Sequence, residues 1–355
     1  MADEFKDLIE KTGTRYRRER DRFAKLSVRV ADICREEIVE NNAIRAQVTF
    51  RTKSIKSFEG KLHRFKSKFD YSALTPDELF SKISDFSGVR IAAYRQEDEA
   101  KIVESITQRF TGVDGGEVEI DFKDKLDPSN ASFYRSTHCQ VKLKEDELIG
   151  DMSNLGDATC EIQVCSMMAH VWNEIEHDIG YKPDGGGPNE VEKGMLEALG
   201  HLVRSGDTII TRLLAANLER MKDQAGDFND VHNFVAKMQP LFPSADLSVN
   251  AGQVFEWLKI LGITSLEDLR AALGHDGLNL KSVKTRIEKF NSYLSSETKL
   301  ALNPSSADLI LIGLLEKFPH EILEMQDGKN GITLPPRVKI FAQHHSGYVP
   351  SPKAS

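Results

Sequence analysis

Cysteine is scarce in this chain, with four in 355 residues: Cys34, Cys139, Cys160 and Cys165. None forms a C-x-x-C pair, and the charged, amphipathic start MADEFKDLIE is no export signal. The four are therefore expected to be reduced thiols in a cytoplasmic protein. Long apolar runs are missing too. None approaches the roughly 18 residues that a membrane helix needs, which argues against a membrane partner. An excess of positive charge is also lacking. The net charge of −8 does not fit a general nucleic-acid binder, so an enzyme for anionic nucleotides would need local positive patches. No repeat with a 20–50-residue period is visible, which argues against a solenoid or propeller.

What is present describes a globular protein with a proper core: 40% hydrophobic and 29% charged residues. Apolar spacing through Phe23, Leu26, Val28, Val30, Ile33 and Ile38 predicts a helix over 4–42. Strands are expected at 45–51, 89–94, near 117–122, at 139–144 and at 158–164, with helices at 54–68, 76–84, 97–110 and 166–178. Helices interleaved with strands indicate an α/β or α+β domain. The segment DGGGPNE, 184–190, is the best boundary candidate, and everything after it reads as helical. The expected organisation is a helical lead-in over 1–44, a strand-containing domain over 45–185, a helical domain over 190–327 and a tail over 328–355 whose final ten residues are expected to be disordered.

One local patch of positive charge exists. Arg51, Lys53, Lys56, Lys61, Arg64, Lys66 and Lys68 stand against a single acid, Glu59. A strand ends at Arg51, and Ser57, Lys61 and Arg64 follow at i, i+4 and i+7 on one helix face. Such a turn is either a solvated helix face or a cradle for a triphosphate. Asp85 precedes the strand Val89–Ile91–Ala93. It is either the cap of the Ser87-Gly88 turn or a magnesium ligand, since magnesium takes one or two carboxylates plus phosphate oxygens. Arg90 points to the face opposite Val89 and Ile91, as a surface charge or a group that stacks on a base. Tyr134 and His138 are read as lying just before a strand, where a Tyr either packs the loop or offers a platform to a purine. In 158–164, Cys160, Ile162 and Val164 are the apolar face, so Glu161 and Gln163 project together from the other face. A Glu held on a strand can orient and deprotonate a hydroxyl. His170, Glu174 and His177 share a helix face, but the zinc-protease pattern H-E-x-x-H is absent. Lys182 follows as a further phosphate contact.

Taken together and in order, these segments resemble the synthetase domain of the RelA/SpoT family. The shared elements are Arg51-x-Lys53, Ser57 to Lys61, Asp85-x-x-Gly88-x-Arg90, Tyr134-x-Ser136-x-His138, Glu161-x-Gln163, His170-x-Trp172, and Glu176-His177 with Tyr181-Lys182. The resemblance covers about residues 45–185. It implies a nucleotidyltransferase-like mixed sheet flanked by helices, and a pyrophosphokinase that moves a diphosphate from ATP to the 3′-hydroxyl of GDP or GTP. It further implies that Arg51 and Arg90 sandwich adenine and that Lys53, Ser57 and Lys61 hold the ATP phosphates. Asp85 and Glu161 would bind Mg2+, and Tyr134 would stack on guanine. Glu161 would also be the base, with Gln163 and His138 positioning groups around it, and Lys182 would contact the acceptor. The family's long members add a hydrolase half marked by a His-Asp pair. Residues 1–50 contain no histidine, so synthesis without hydrolysis is expected.

The chain departs from the family's pattern before Tyr134. Where the family has Pro-Lys and then Asn-Gly, this sequence has Pro128-Ser129 and then Ser132-Phe133. The lost lysine and glycine leave two acceptors open, a guanine nucleotide and the 3′ end of tRNA that toxin-like relatives modify. Residues 190–327 lie outside the resemblance. They are expected to be a docking platform, a built-in restraint, or a surface through which copies form a homo-oligomer.

Overall fold

The computed structural model describes residues 2–65, 74–124, 133–180, 187–223, 225–294 and 301–324, together with Val338, Ile340 and Ala342. The chain folds as two compact units, one of residues 1–39 and 44–212, the other of residues 40–43 and 213–355.

In the first unit, α1 (Ala2–Ile33) runs on into a π-helical stretch, Cys34–Glu40. Then come β1 (Ala46–Thr52), α2 (Ile55–Phe65), α3 (Pro76–Ser81), β2 (Ser87–Ala93), α4 (Asp98–Arg109), β3 (Glu119–Asp124), β4 (Arg135–Val141), β5 (Cys160–Ser166) and α5 (Met167–Gly180). The five strands form one mixed sheet in the order β1-β2-β5-β4-β3. Of these strands only β2 and β5 pair in parallel. Alternation then assigns the faces. Val89, Ile91, Ile162, Val164, Cys139 and Val141 are buried on one side, in a core that α1 completes with Tyr16, Phe23, Leu26 and Val30. The other face is polar. On it the register aligns Arg51 with Gly88, Glu161 and Gln140, and in the next row Thr49 with Arg90, Gln163 and His138.

The strand expected at 139–144 begins earlier, at Arg135, so His138 lies inside β4 rather than before it. The reason is physical. Ser136, Thr137 and His138 are buried although polar, so a reading anchored on the apolar Val141 and Leu143 starts the strand too late. The basic helix α2 is capped by Ser54, whose Oγ accepts the Ser57 N–H at 3.1 Å.

The first unit also extends past the expected boundary at 184–190. α6 (Glu190–Lys222) keeps its residues to 212 within it. Leu196, Gly200, Val203 and Asp207 recur every three or four residues and are buried. Trp172 Nε1 donates to the Leu196 carbonyl at 3.0 Å, and a Cβ at Gly200 would lie 2.2 Å from the Phe133 ring. Any larger residue at 200 would displace that ring.

The second unit is helical: α7 (Val231–Met238), α8 (Ala251–Ile260), α9 (Leu266–Gly277), α10 (Leu280–Leu294), α11 (Asp308–Lys317) and α12 (Pro319–Glu324). Its core gathers Phe234, Phe242, Leu258, Ile287 and nearly all of α11, whose residues Asp308–Leu315 are buried. Residues 40–43, between α1 and β1, belong to it. The Gly252 N–H donates to the Asn41 carbonyl at 2.9 Å, and Asn41 Nδ2 donates to Asn250 Oδ1 at 3.1 Å. A Cβ at Gly252 would sit 2.4 Å from the Glu40 carbonyl oxygen. Among the described residues, no helix is long and apolar enough to cross a membrane.

Candidate active site

The turn after β1 brings the first cluster together. Lys53 lies one residue beyond the strand and Lys61 on α2, and both reach Asp85, in the loop before β2. Lys53 Nζ lies 2.6 Å from Asp85 Oδ2, and Lys61 Nζ lies 2.7 Å from Oδ1. Burial works against ionising Asp85, but the two ammonium groups outweigh it and hold the carboxyl below its ordinary range. Burial also lowers Lys53, and the hydrogen bond to Asp85 offsets this only in part. A half-buried acid held by two lysines marks a place built for multiple charges. Ser57 stands apart from the cluster. It is exposed, and its hydroxyl is bonded to Ser54 at 2.8 Å.

The second cluster is centred on Glu161, in the middle of the polar sheet face. Gln163 Nε2 donates to Oε2 at 2.6 Å, and Gln140 Nε2 donates to Oε1 at 3.0 Å. His138 Nδ1 lies 3.3 Å from Oε1, and the Tyr134 hydroxyl lies 2.8 Å from His138 Nε2. If Tyr134 donates to Nε2, the proton on Nδ1 is directed at Glu161. Lys123 Nζ also lies 3.2 Å from Nδ1, so that nitrogen either donates to Glu161 or accepts from Lys123. Burial pushes the Glu161 carboxyl up, but His138 and Gln163 bring it below its ordinary value, against the repulsion of Asp85. Glu161 is thus an ionised carboxylate in a fixed orientation. Burial raises the Tyr134 phenol, so it stays a protonated donor at neutral pH.

Arg51 and Arg90 flank these clusters on the same face. The side chain of Arg51 lies over Gly88, where an added Cβ would be 3.5 Å from Arg51 Cγ. Arg90 is anchored by Glu174 of α5, with its Nη2 2.6 Å from Oε1. Burial and Arg90 lower the neighbouring His170, so the imidazole stays neutral. His177 lies at the surface, 3.7 Å from Asp178.

Of the residues singled out from sequence, Lys53, Lys61 and Asp85 come together as one group, and Tyr134, His138, Glu161 and Gln163 as another. Arg51 and Arg90 share their sheet face. Lys182 lies outside the described residues, as does Pro128-Ser129. Sequence reasoning missed Gln140 and Lys123, and it read Glu174 as sharing a helix face with His170 and His177 rather than as the partner of Arg90. Gln140 had a signal, because it stands two residues after His138 and so on the same face. It was hidden by the late placement of β4.

Residues 50–186 match the family model RelA_SpoT, described as the region found in RelA / SpoT proteins. The chain carries a RelA/SpoT region. Solved structures similar to it include the small alarmone synthetase 1 from Bacillus subtilis, at 22% identity and a TM-score of 0.42, covering 57% of this chain and 96% of that one. A GTP pyrophosphokinase family protein from Streptococcus pneumoniae is also 22% identical, with a TM-score of 0.40, 54% of this chain and 87% of that one. The small alarmone synthetase 2 from Bacillus subtilis is 21% identical, with a TM-score of 0.39, 57% of this chain and 97% of that one. No curated protein matches the chain. The assignment rests on the matched region, which contains both clusters and both arginines. The first 49 residues and everything after 186 lie outside it.

Proposed function

We propose that the RelA/SpoT region transfers the β,γ-diphosphate of ATP to the 3′-hydroxyl of GDP or GTP, making (p)ppGpp. The observation that carries this reading is the Glu161 carboxylate, held by Gln140, Gln163 and His138 on the sheet face that also presents Arg51 and Arg90. Arg51 and Arg90 hold the adenine between them, and Lys53, Ser57 and Lys61 meet the phosphates. Tyr134 carries the guanine, and His138 and Lys182 contact the acceptor. Glu161 takes the 3′-hydroxyl proton as that oxygen bonds to the β-phosphorus. The bridge to the α-phosphorus breaks, and AMP leaves. Such transfers run on positioning and charge neutralisation, and this face supplies both.

Mg2+ fits the donor set. Asp85 and Glu161 repel one another across the site, and two carboxylates completed by phosphate oxygens and water suit this ion. When bound, it would neutralise phosphate charge, and the lysines now paired with Asp85 would turn to the phosphates.

A second acceptor has one observation in its favour. The segment before Tyr134 has Ser129 and Ser132-Phe133 where the family has lysine and Asn-Gly. With less charge to meet a nucleotide's 5′-phosphates, the same base and platform would serve the 3′ end of tRNA, with the helical unit as docking or restraining element. The test is γ-labelled ATP with Mg2+, offered GDP, GTP or bulk tRNA in parallel, with Glu161→Gln as control. Label in a guanosine tetra- or pentaphosphate supports the first reading and label in tRNA alone the second. No label in any acceptor would sink both.

A further inference from the structure

We propose that the N-terminal helix is a working part of the ATP site, with Tyr16 as a positioning residue that clamps the backbone of Lys53. The inference rests on the reading of Lys53 as a phosphate ligand and adds to the site a residue 34 positions before the RelA/SpoT region.

Lys53 is the first residue past β1, where a chain end would ordinarily be loose, and its backbone is nevertheless held from both sides. Its N–H donates to the Phe86 carbonyl at 2.9 Å, directly beside Asp85. Its carbonyl accepts the Tyr16 hydroxyl at 2.5 Å. Tyr16 itself has no freedom to follow a moving loop. It is 0% exposed, and its ring packs on Phe58 at 4.5 Å and on Phe86 at 5.1 Å between centroids. Burial pushes its phenol up to about 12, so at neutral pH it remains a donor.

Three turns further along the same helix, Ser27 shares one hydroxyl proton between the Phe23 carbonyl at 3.0 Å and the Arg51 carbonyl at 3.1 Å. α1 therefore holds the carbonyls on both sides of Thr52, those of Arg51 and Lys53, two of the residues read as ATP ligands. A buried tyrosine hydroxyl needs a partner, and here that partner is the backbone carbonyl of a residue read as an ATP ligand. With the loop fixed, Lys53 reaches the phosphates without a loop to order first.

The same helix offers a control. Ser87 pairs with Thr52 in the sheet, but its Oγ donates to the Phe23 carbonyl at 2.8 Å, so removing that hydroxyl loosens α1 without taking a hydrogen bond from the Arg51–Lys53 backbone. Calorimetric titration of the full chain with Mg2+ and a non-hydrolysable ATP analogue should show Tyr16→Phe binding about five-fold more weakly, the worth of one hydrogen bond. The KM for the acceptor should stay unchanged. Ser27→Ala should show a smaller shift in the same direction. Ser87→Ala should lower the thermal midpoint and leave analogue affinity alone. Tyr16→Phe binding the analogue as tightly as wild type overturns the clamp. So does a Ser87→Ala that weakens binding as much as Tyr16→Phe, because α1 would then act through stability alone. Wild type that fails to bind the analogue overturns the reading of the site itself, and the clamp with it.

Discussion

The two units bury polar groups in different ways. In the helical unit, the buried Lys237 donates to the Gly226 and Asp227 carbonyls at 2.9 and 2.7 Å. The buried Asp308 accepts from Asn250 Nδ2 at 3.1 Å and from the Asn303 N–H at 2.8 Å. These partners are backbone groups and amides that cannot change charge. In the first unit, Glu161, Asp85, Lys53, Lys61 and His138 meet other ionisable or proton-carrying side chains, and they converge on one sheet face. Both kinds of group satisfy the demand that buried polar atoms be paired. The contrast teaches how to separate architecture from chemistry. A buried charge that closes a turn belongs to the fold, while half-buried charges that face one another have been brought together against part of their own desolvation cost.

The substitution with the largest expected effect is Glu161→Gln. The amide keeps the size and most hydrogen bonds but cannot take a proton, so transfer should fall by about 10²–10⁴. Single-turnover assay with labelled ATP measures this, and a loss of less than ten-fold would remove Glu161 as base. Asp85→Asn comes next. It leaves Lys53 and Lys61 without their shared anion and takes one carboxylate from the Mg2+ set. Activity should fall by about 10² and the Mg2+ concentration for half-maximal rate should rise. A drop in activity with an unchanged Mg2+ requirement would place Asp85 in charge pairing alone.

Much of this was legible in residue spacing, and the failures have definite causes. β5 could be read because Cys160, Ile162 and Val164 alternate with Glu161 and Gln163, and apolar alternation is what burial on one face imposes. β4 could not be placed well because its buried positions Ser136 and His138 are polar, and their burial comes from partners elsewhere in the chain. In α6 the buried stripe of Leu196, Gly200, Val203 and Asp207 contains a glycine and an aspartate and so gives no clear apolar signal, and nothing local says that it packs near Phe133 and Trp172 rather than on another helix. Tyr16 was invisible as a functional residue. In a helix an aromatic at an apolar position reads as core, and only the fold shows where its hydroxyl points.

Lys237→Met tests the architectural side of the comparison. It takes the buried ammonium away from the carbonyls of Gly226 and Asp227, two exposed residues that water can reach, and should destabilise the helical unit by about 1 kcal/mol. The two tryptophans allow each unit to be followed separately, since Trp172 is buried in the first and Trp257 in the second. Trp257 should report an earlier denaturation midpoint, while Trp172 and the affinity for an ATP analogue stay as in wild type. A change in transfer rate would break the comparison, because a buried charge assigned to the fold would then matter to the chemistry.

The smallest effect concerns a first-unit cluster away from the proposed base. Glu99 of α4 is buried, paired through Oε2 with Arg135 of β4 at 2.7 Å, while Oε1 has no partner among the described residues. Asp207 of α6 is also buried and accepts from Ser166 at 2.9 Å through one oxygen only. Burial raises Glu99 to about 7, against the pull of Arg135 and with the help of Asp207, and Asp207 is raised for the same first reason. Below the ordinary carboxyl range both the folded and unfolded forms are protonated, and the first unit keeps its full stability. As pH rises towards 7, the unfolded chain releases a proton that the folded one retains, so stability is lost across that window. The loss should be on the order of 2 kcal/mol between pH 5 and 8, read from denaturant midpoints at Trp172. Glu99→Gln has no proton to release there, and its midpoint should vary less with pH, with the remaining slope left to Asp207. An equal slope in wild type and Glu99→Gln would show that Glu99 is ionised throughout, and that Arg135 alone suffices to hold it, as Lys53 and Lys61 hold Asp85.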